Sequence, residues 1–159
     1  MKKFKHFTLQ QYTDVLSQKK PVPGGGSAAA YSAAMGCALL AMVIEYSKGK
    51  SGKKIIEGRF DRYLQLIHTI QDNLMALVDL DAQAYLKVVQ SKNQPKAEKR
   101  KAEQEAAKVP KQVCRLCYQA IAITPFIVLH GNKYLLCDLE VAIELIRAGY
   151  NGAWTLTKL

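Results

Sequence analysis

Between Gly52 and Asn93 the chain runs without a proline, and its apolar residues recur at helical spacing. Placed at about 100° per residue, Tyr63, Ile67, Ile70, Leu74, Leu77, Val78, Tyr85 and Val88 form one stripe. The pattern predicts a single helix from about Ile55 to Gln90, roughly 50 Å long at 1.5 Å per residue. A rod of that length has to be flanked by other long helices to bury its stripe. This points to an all-α, up-and-down bundle of about five helices, one or two of them long.

The remaining punctuation agrees. Thr8 can cap a short helix to about Ser17, and Ser27 a second one to about Tyr46. Between them KKPVPGGGS cannot form a regular element. Lys96 to Lys108 is charged almost all round, with Lys99–Glu103 and Lys101–Glu105 placed as i,i+4 pairs. Pro110 and Pro125 are expected to kink or interrupt the helical pattern beyond Lys108. Gly131 and Asn132 make a turn, and Asp138 can cap a last helix ending near Gly149. No repeat, low-complexity tract or long linker divides the 159 residues, so residues 1–159 read as a single helical domain.

The helix after the glycine run carries small residues every fourth position, at Ala29, Ala33, Cys37 and Ala41. A face without bulk lets a second helix approach closely, within the chain or between two copies. Ala28 to Ile44 is uncharged, but it is short for a membrane span and reads as a buried helix.

The glycine run itself admits several readings. Gly24, Gly26 and Ala29 fit G-x-G-x-x-A, but Pro21 and Pro23 stand where the dinucleotide fold needs a strand. Gly49-Lys50-Ser51 ends like a phosphate-binding loop, but the earlier glycine that motif requires falls at Ile44. Two readings stay open. The free N–H groups of the helix start can hold a carboxylate or phosphate, or the glycines serve close backbone packing.

The long helix contains one anomaly. In LMALVDLDAQAYLKVV, Asp81 falls at the centre of the apolar stripe. Asp79 falls nearly opposite, with Asp61, His68 and Asp72, and reads as a solvated charge. A carboxyl group in apolar surroundings has its pKa raised by desolvation, as a general acid near neutral pH requires. A core aspartate satisfied by hydrogen bonds is the alternative.

Composition limits the partners. Lysine and arginine number 23 against 13 aspartates and glutamates, a net charge of +10, which favours anionic ligands or polyanions. The basic segments Lys48–Lys54 and Lys92–Lys111 contain no interleaved aromatic residues, so a stacking platform for nucleic acid is unsupported. Cys114 and Cys117 form one C-x-x-C. Cys37 or Cys137 with His130 would complete a zinc set on paper, but no second pair has metal spacing, and no metal is expected. No apolar leader follows the basic MKKFKHF, so the expectation is a cytoplasmic chain with reduced thiols.

Taken in order, PVPGGGSAAA, GCALLAMV, LVDLDAQAY, AAKVP and HGNKYLLCDLEVAIELIRAGYNGA resemble the cyclodeaminase domain of formiminotransferase-cyclodeaminase. They equally resemble the stand-alone bacterial methenyltetrahydrofolate cyclohydrolases. The resemblance runs from about residue 8 to about 153. It implies an all-helical homodimer that binds a tetrahydrofolate derivative, with no metal or other cofactor.

By the same resemblance Asp81 matches the catalytic aspartate. Pro23, Gly24, Gly25, Gly26 and Ser27 match the substrate-binding glycine loop, with Tyr85, Asn132 and Asp138 as further substrate contacts. The resemblance implies ring closure of 5-formiminotetrahydrofolate with loss of ammonia, or hydrolysis of the 5,10-methenyl compound. A glutamate tail on the folate, often polymerised, would suit the basic surface. Cys137 replaces a serine of the family pattern. The family continues past GA with an asparagine-containing segment, where Leu156 stands here, so the domain reads as C-terminally short. Three other readings remain: a folate-binding member without turnover, a basic helical nucleic-acid binder, and a purely structural helical dimer.

Overall fold

A computed structural model describes residues 3–158. All regular secondary structure among them is helical: α1 (Leu9–Leu16), α2 (Gly25–Ser47), α3 (Lys54–Gln90), α4 (Lys96–Ala106), α5 (Lys108–Ile121), α6 (Thr124–His130) and α7 (Leu136–Leu156). The five helices other than α1 and α6 form the bundle. Short 3₁₀ turns cover Phe4–His6, Ser91–Asn93 and Lys133–Leu135.

α2 is the central element and packs most extensively on α7 and α3. Ala29, Ala33, Cys37 and Ala41 are all buried. The small face serves a helix pair within the chain. A Cβ on Gly36 would lie 2.7 Å from the Ala142 carbonyl oxygen and from Ile146 Cγ1, and one on Gly149 would lie 2.7 Å from the Ala29 carbonyl oxygen and Ala33 Cβ. The two helices run antiparallel with backbones nearly touching, and Ser32 Oγ donates to the Leu145 carbonyl at 3.0 Å. Gly149 is thus a packing glycine, not a helix end, and α7 continues to Leu156. A glycine after a periodic run has the signature of a C-cap, which is why the sequence suggests termination there.

α3 is antiparallel to α2, tied at one end by Lys48–Asp61 (2.8 Å) and at the other by Ser27–Asp81. Its stripe is buried at Ile67, Ile70, Leu74, Leu77 and Val78. Asp61, His68 and Asp72 are exposed. Asp79 is not: it is only 5% exposed. The N-terminal arm crosses that face of α3, and the Phe4 backbone N–H donates to Asp79 Oδ1 at 2.6 Å. Helical periodicity assigns the far side of α3 to water, whereas a buried Phe4 covers it. Asp79 Oδ2 is buried without a hydrogen-bond partner among the described residues.

Local starts and stops follow recognisable chemistry. Thr8 and Gln11 form a reciprocal capping box on α1. Gly24, not Ser27, is the N-cap of α2, and Leu135, not Asp138, precedes α7; Asp138 lies in the first turn. Asn132 caps the 3₁₀ turn, its Oδ1 accepting from the Tyr134 N–H at 3.1 Å. Pro125 stands in the first turn of α6 instead of kinking a longer helix. α4 has no buried residue. Lys99 and Glu103 pair at 3.9 Å, but Glu105 pairs with Lys108 at 2.5 Å, not with Lys101.

Two glycines should therefore respond oppositely to alanine. Gly36→Ala drives a methyl into the α7 backbone and should destabilise the fold by about 1–3 kcal/mol. Gly58, in the exposed part of α3, has nothing within 4 Å of its Cβ position, so Gly58→Ala should stabilise by up to about 1 kcal/mol. Urea unfolding of both variants checks the pair; equal shifts would contradict the α2–α7 contact.

Candidate active site

The stripe of α3 outlasts the core. Beyond Ala82 it leaves the packed interior, and Tyr85 is 48% exposed. Here α4 stands across from α3 and, with the start of α5 and the end of α7, encloses a cleft of about 590 Å³. Asp81, Tyr85 and Val88 line it from α3, Arg100 and Glu103 from α4, and Leu156 from α7.

Asp81 is held by the first turn of α2. The Ser27 N–H donates to Asp81 Oδ2 at 2.9 Å. This is one of the N–H groups that a helix start leaves without an intrahelical partner, so a side chain from α3 completes the cap that Gly24 cannot supply. Gly26 lies against the same carboxyl group, and a Cβ there would fall inside it. The glycine requirement at position 26 is therefore close approach to Asp81. An acidic group of the protein already faces this helix start, which disfavours a second anion there by like-charge repulsion.

Two effects act on the Asp81 carboxyl. Burial is the larger and raises its pKa above the ordinary aspartate value; the Ser27 N–H opposes it by stabilising the carboxylate. The result is a half-buried acid with a raised pKa, open to a cleft that Arg100 also lines. Arg100 forms no ion pair among the described residues.

The other glycine-loop positions contribute structure at this point. Pro23, Gly26 and Ser27 are buried, Gly24 is half-buried and Gly25 exposed. The Ser27 hydroxyl does not face the cleft: it lies 2.9 Å from the Tyr12 hydroxyl, and both residues are buried. The loop reaches the site through the Gly26 backbone and the Ser27 N–H.

Asn132 and Asp138 lie elsewhere. The Asn132 N–H donates to Ser47 Oγ at 2.9 Å, at the opposite end of α2 from Ser27. At 1.5 Å per residue the two ends are about 30 Å apart. Within one chain, Asp81 and Asn132 cannot touch one small ligand. Among the described residues no three His, Cys, Asp or Glu side chains gather as metal ligands. Cys37 and Cys117 are buried in the core, and burial pushes their thiols up to about 12.

Three residues of the site escape the sequence reading. Arg100 and Glu103 belong to a charged helix whose pattern signals only solvation. Tyr12 lies in the helix before the glycine loop, and nothing in its spacing links it to Ser27.

Comparison with known proteins gives a consistent picture. Residues 8–159 match the family described as Formiminotransferase-cyclodeaminase. The chain is 30% identical over 156 residues to the Methenyltetrahydrofolate cyclohydrolase of Methylorubrum extorquens, covering 92% of this chain and 75% of that one. It is 28% identical over 157 residues to the mouse Formimidoyltransferase-cyclodeaminase, spanning only 29% of that longer protein. The crystal structure of formiminotetrahydrofolate cyclodeaminase from Thermotoga maritima superposes with a TM-score of 0.93 at 27% identity, over 97% of this chain and 78% of that one. By sequence and by architecture, the chain belongs to the formiminotransferase-cyclodeaminase family.

Proposed function

We propose that the protein acts on the one-carbon unit carried between N5 and N10 of tetrahydrofolate, with Asp81 as general acid and base. The observation that carries this reading is a half-buried carboxyl of raised pKa at the wall of a ligand-sized cleft, in a family whose named members are cyclodeaminases and cyclohydrolases. In the cyclodeaminase direction N10 attacks the formimino carbon and forms a tetrahedral centre. The N10 proton passes to the former imino nitrogen, Asp81 gives that nitrogen a second proton, ammonia leaves, and the methenyl bridge remains. In the cyclohydrolase direction water adds to the methenyl carbon, Asp81 takes a proton from it and returns it to the ring nitrogen that departs, and the remaining hydroxyl proton is released to solvent as the formyl carbonyl forms. Both reactions pass through a carbon bonded to two nitrogens and need one proton carrier. No metal or other cofactor enters this reading.

Arg100 supplies a positive charge to the lining of the cleft and suits a carboxylate of the folate glutamate tail, single or polymerised. The resemblance also implies a homodimer. The separation of Asp81 from Asn132 and Asp138 supports that reading: if both segments serve one substrate, different copies supply them. Exposed Met35, Tyr134, Leu136 and Val141 offer apolar surface for such a contact.

Purified protein offered 5-formiminotetrahydrofolate, and separately 5,10-methenyltetrahydrofolate, should turn over at least one of them, followed by methenyl absorbance. Asp81→Asn should lose about 10²-fold or more. Binding of both folates without turnover of either would favour a binding-only member; absence of binding would reject the folate reading.

Asp81 also makes a stability prediction with a definite sign. Its folded-state pKa lies above its unfolded value. The ionised form therefore costs stability above the folded pKa, and this cost disappears as pH falls below the unfolded value of about 4. Asp81→Asn should be more stable than wild type at pH 7, with an advantage that shrinks towards pH 4. Urea midpoints at the two pH values test it; an advantage equal at both would contradict the burial of the charge.

A further inference from the structure

We propose that Tyr12 is a positioning residue for Asp81, its hydroxyl acting through Ser27 to fix the backbone N–H bonded to the reacting carboxyl. This rests on the reading of Asp81 as the reacting acid.

The geometry forms an uninterrupted chain of contacts. Tyr12 is 6% exposed. Its ring is tilted on Tyr31 at 5.1 Å and meets Phe4 edge-on at 6.5 Å. Those contacts would be served equally by phenylalanine. The hydroxyl is a polar group taken into the core, which costs free energy unless it is bonded. Its one hydrogen bond among the described residues is to Ser27 Oγ at 2.9 Å. Ser27 is fully buried, and its own N–H lies 2.9 Å from Asp81 Oδ2. A serine in the first turn of a helix can turn its hydroxyl to local backbone; here Tyr12 fixes it in another direction.

There is little slack in this arrangement. The residue before Ser27 is Gly26, whose backbone presses on the Asp81 carboxyl. Any shift of the Gly26–Ser27 backbone alters both contacts of the carboxyl together. The segment carrying Tyr12 is also anchored on α3, through the Phe4 N–H on Asp79 Oδ1 at 2.6 Å, two residues from Asp81. Asp79 thus holds the arm and Asp81 faces the cleft, so the two acids of the DLD segment have separate tasks on one helix.

Tyr85 on its own helix and Arg100 and Glu103 on α4 share the cleft with Asp81, while Tyr12 on α1 feels Asp81 and Asp79 of α3 and Tyr31 of α2. The cleft-lining residues of α5 and α7, Pro110 and Leu156, carry no charge. Burial holds the Tyr12 hydroxyl above its ordinary pKa, so it is neutral wherever Asp81 titrates. Its removal alters no formal charge near Asp81, and Ser27→Ala, which leaves the Tyr12 hydroxyl in place, separates the hydrogen-bonded route from a direct effect of that hydroxyl.

The test compares wild type, Tyr12→Phe, Ser27→Ala and the double variant by ¹³C NMR titration of the Asp81 carboxyl, together with kcat and KM. A weaker Ser27 N–H contact removes support from the carboxylate, so the Asp81 midpoint should rise in both single variants. Loss of one such hydrogen bond corresponds to about a five-fold fall in kcat, with KM within about two-fold of wild type. The two substitutions break the same link, so the double variant should be no worse than the worse single variant.

An Asp81 midpoint unchanged in folded Tyr12→Phe overturns the proposal, as do additive effects in the double variant. Ser27→Ala probes the same link from the other side should Tyr12→Phe fold poorly. The titration needs no substrate. A shifted midpoint in a protein without turnover would uphold the coupling and reject the reading of Asp81 as a reacting acid, so the two failures are distinguishable.

Discussion

The near contact of two backbones, α2 on α7, sets the dimensions of the rest of the bundle. Gly36 and Gly149 bring carbonyl oxygens of the facing helix to within 2.7 Å of where a methyl group would stand. With so little between the axes, α2 can be buried on several sides at once, touching α7, α3 and α5. Burial of its apolar residues then stabilises the fold through many small contacts rather than a few large side chains. The same burial extends to Gly26 and Ser27 in the first turn of α2, where the Ser27 N–H is the hydrogen-bond donor to Asp81.

That first turn explains how one acid can be half-buried without collapsing into an ordinary core contact. Desolvation favours the neutral form and the Ser27 N–H favours the charged form. The carboxyl is held between these influences, in space that only a glycine at position 26 leaves open. Preorganisation of this kind costs stability where it is found and is a common property of groups that exchange protons.

Much of the fold is legible from spacing alone. The 3.6-residue period locates α3 to within a residue at its start, and the capping chemistry of Thr8 locates α1. Asp81 stands out because an acid interrupts an apolar stripe, a local pattern. Features set by tertiary approach leave no such trace. Asp79 looks solvated because no periodicity reports that an N-terminal arm will cross the helix. Gly149 looks terminal because the same residue serves helix ends and close packing. Ser27 looks like a cap, yet its hydroxyl goes to a tyrosine fifteen residues earlier in the chain. Family resemblance groups Asn132 and Asp138 with Asp81, and only the length of α2 reveals how far apart one chain holds them.

α4 forms one wall of the cleft and contributes no buried residue to the core. Its sequence can therefore vary with little consequence for folding, while each substitution on its inner side changes the shape or charge presented to a bound molecule. The opposite wall, from α3, has less latitude at Asp81, which is bound to the buried Ser27 of α2 and lies against Gly26. The molecule thus separates a fixed half, which holds the Asp81 carboxyl, from an adaptable half, whose shape and charge can change without rebuilding the scaffold.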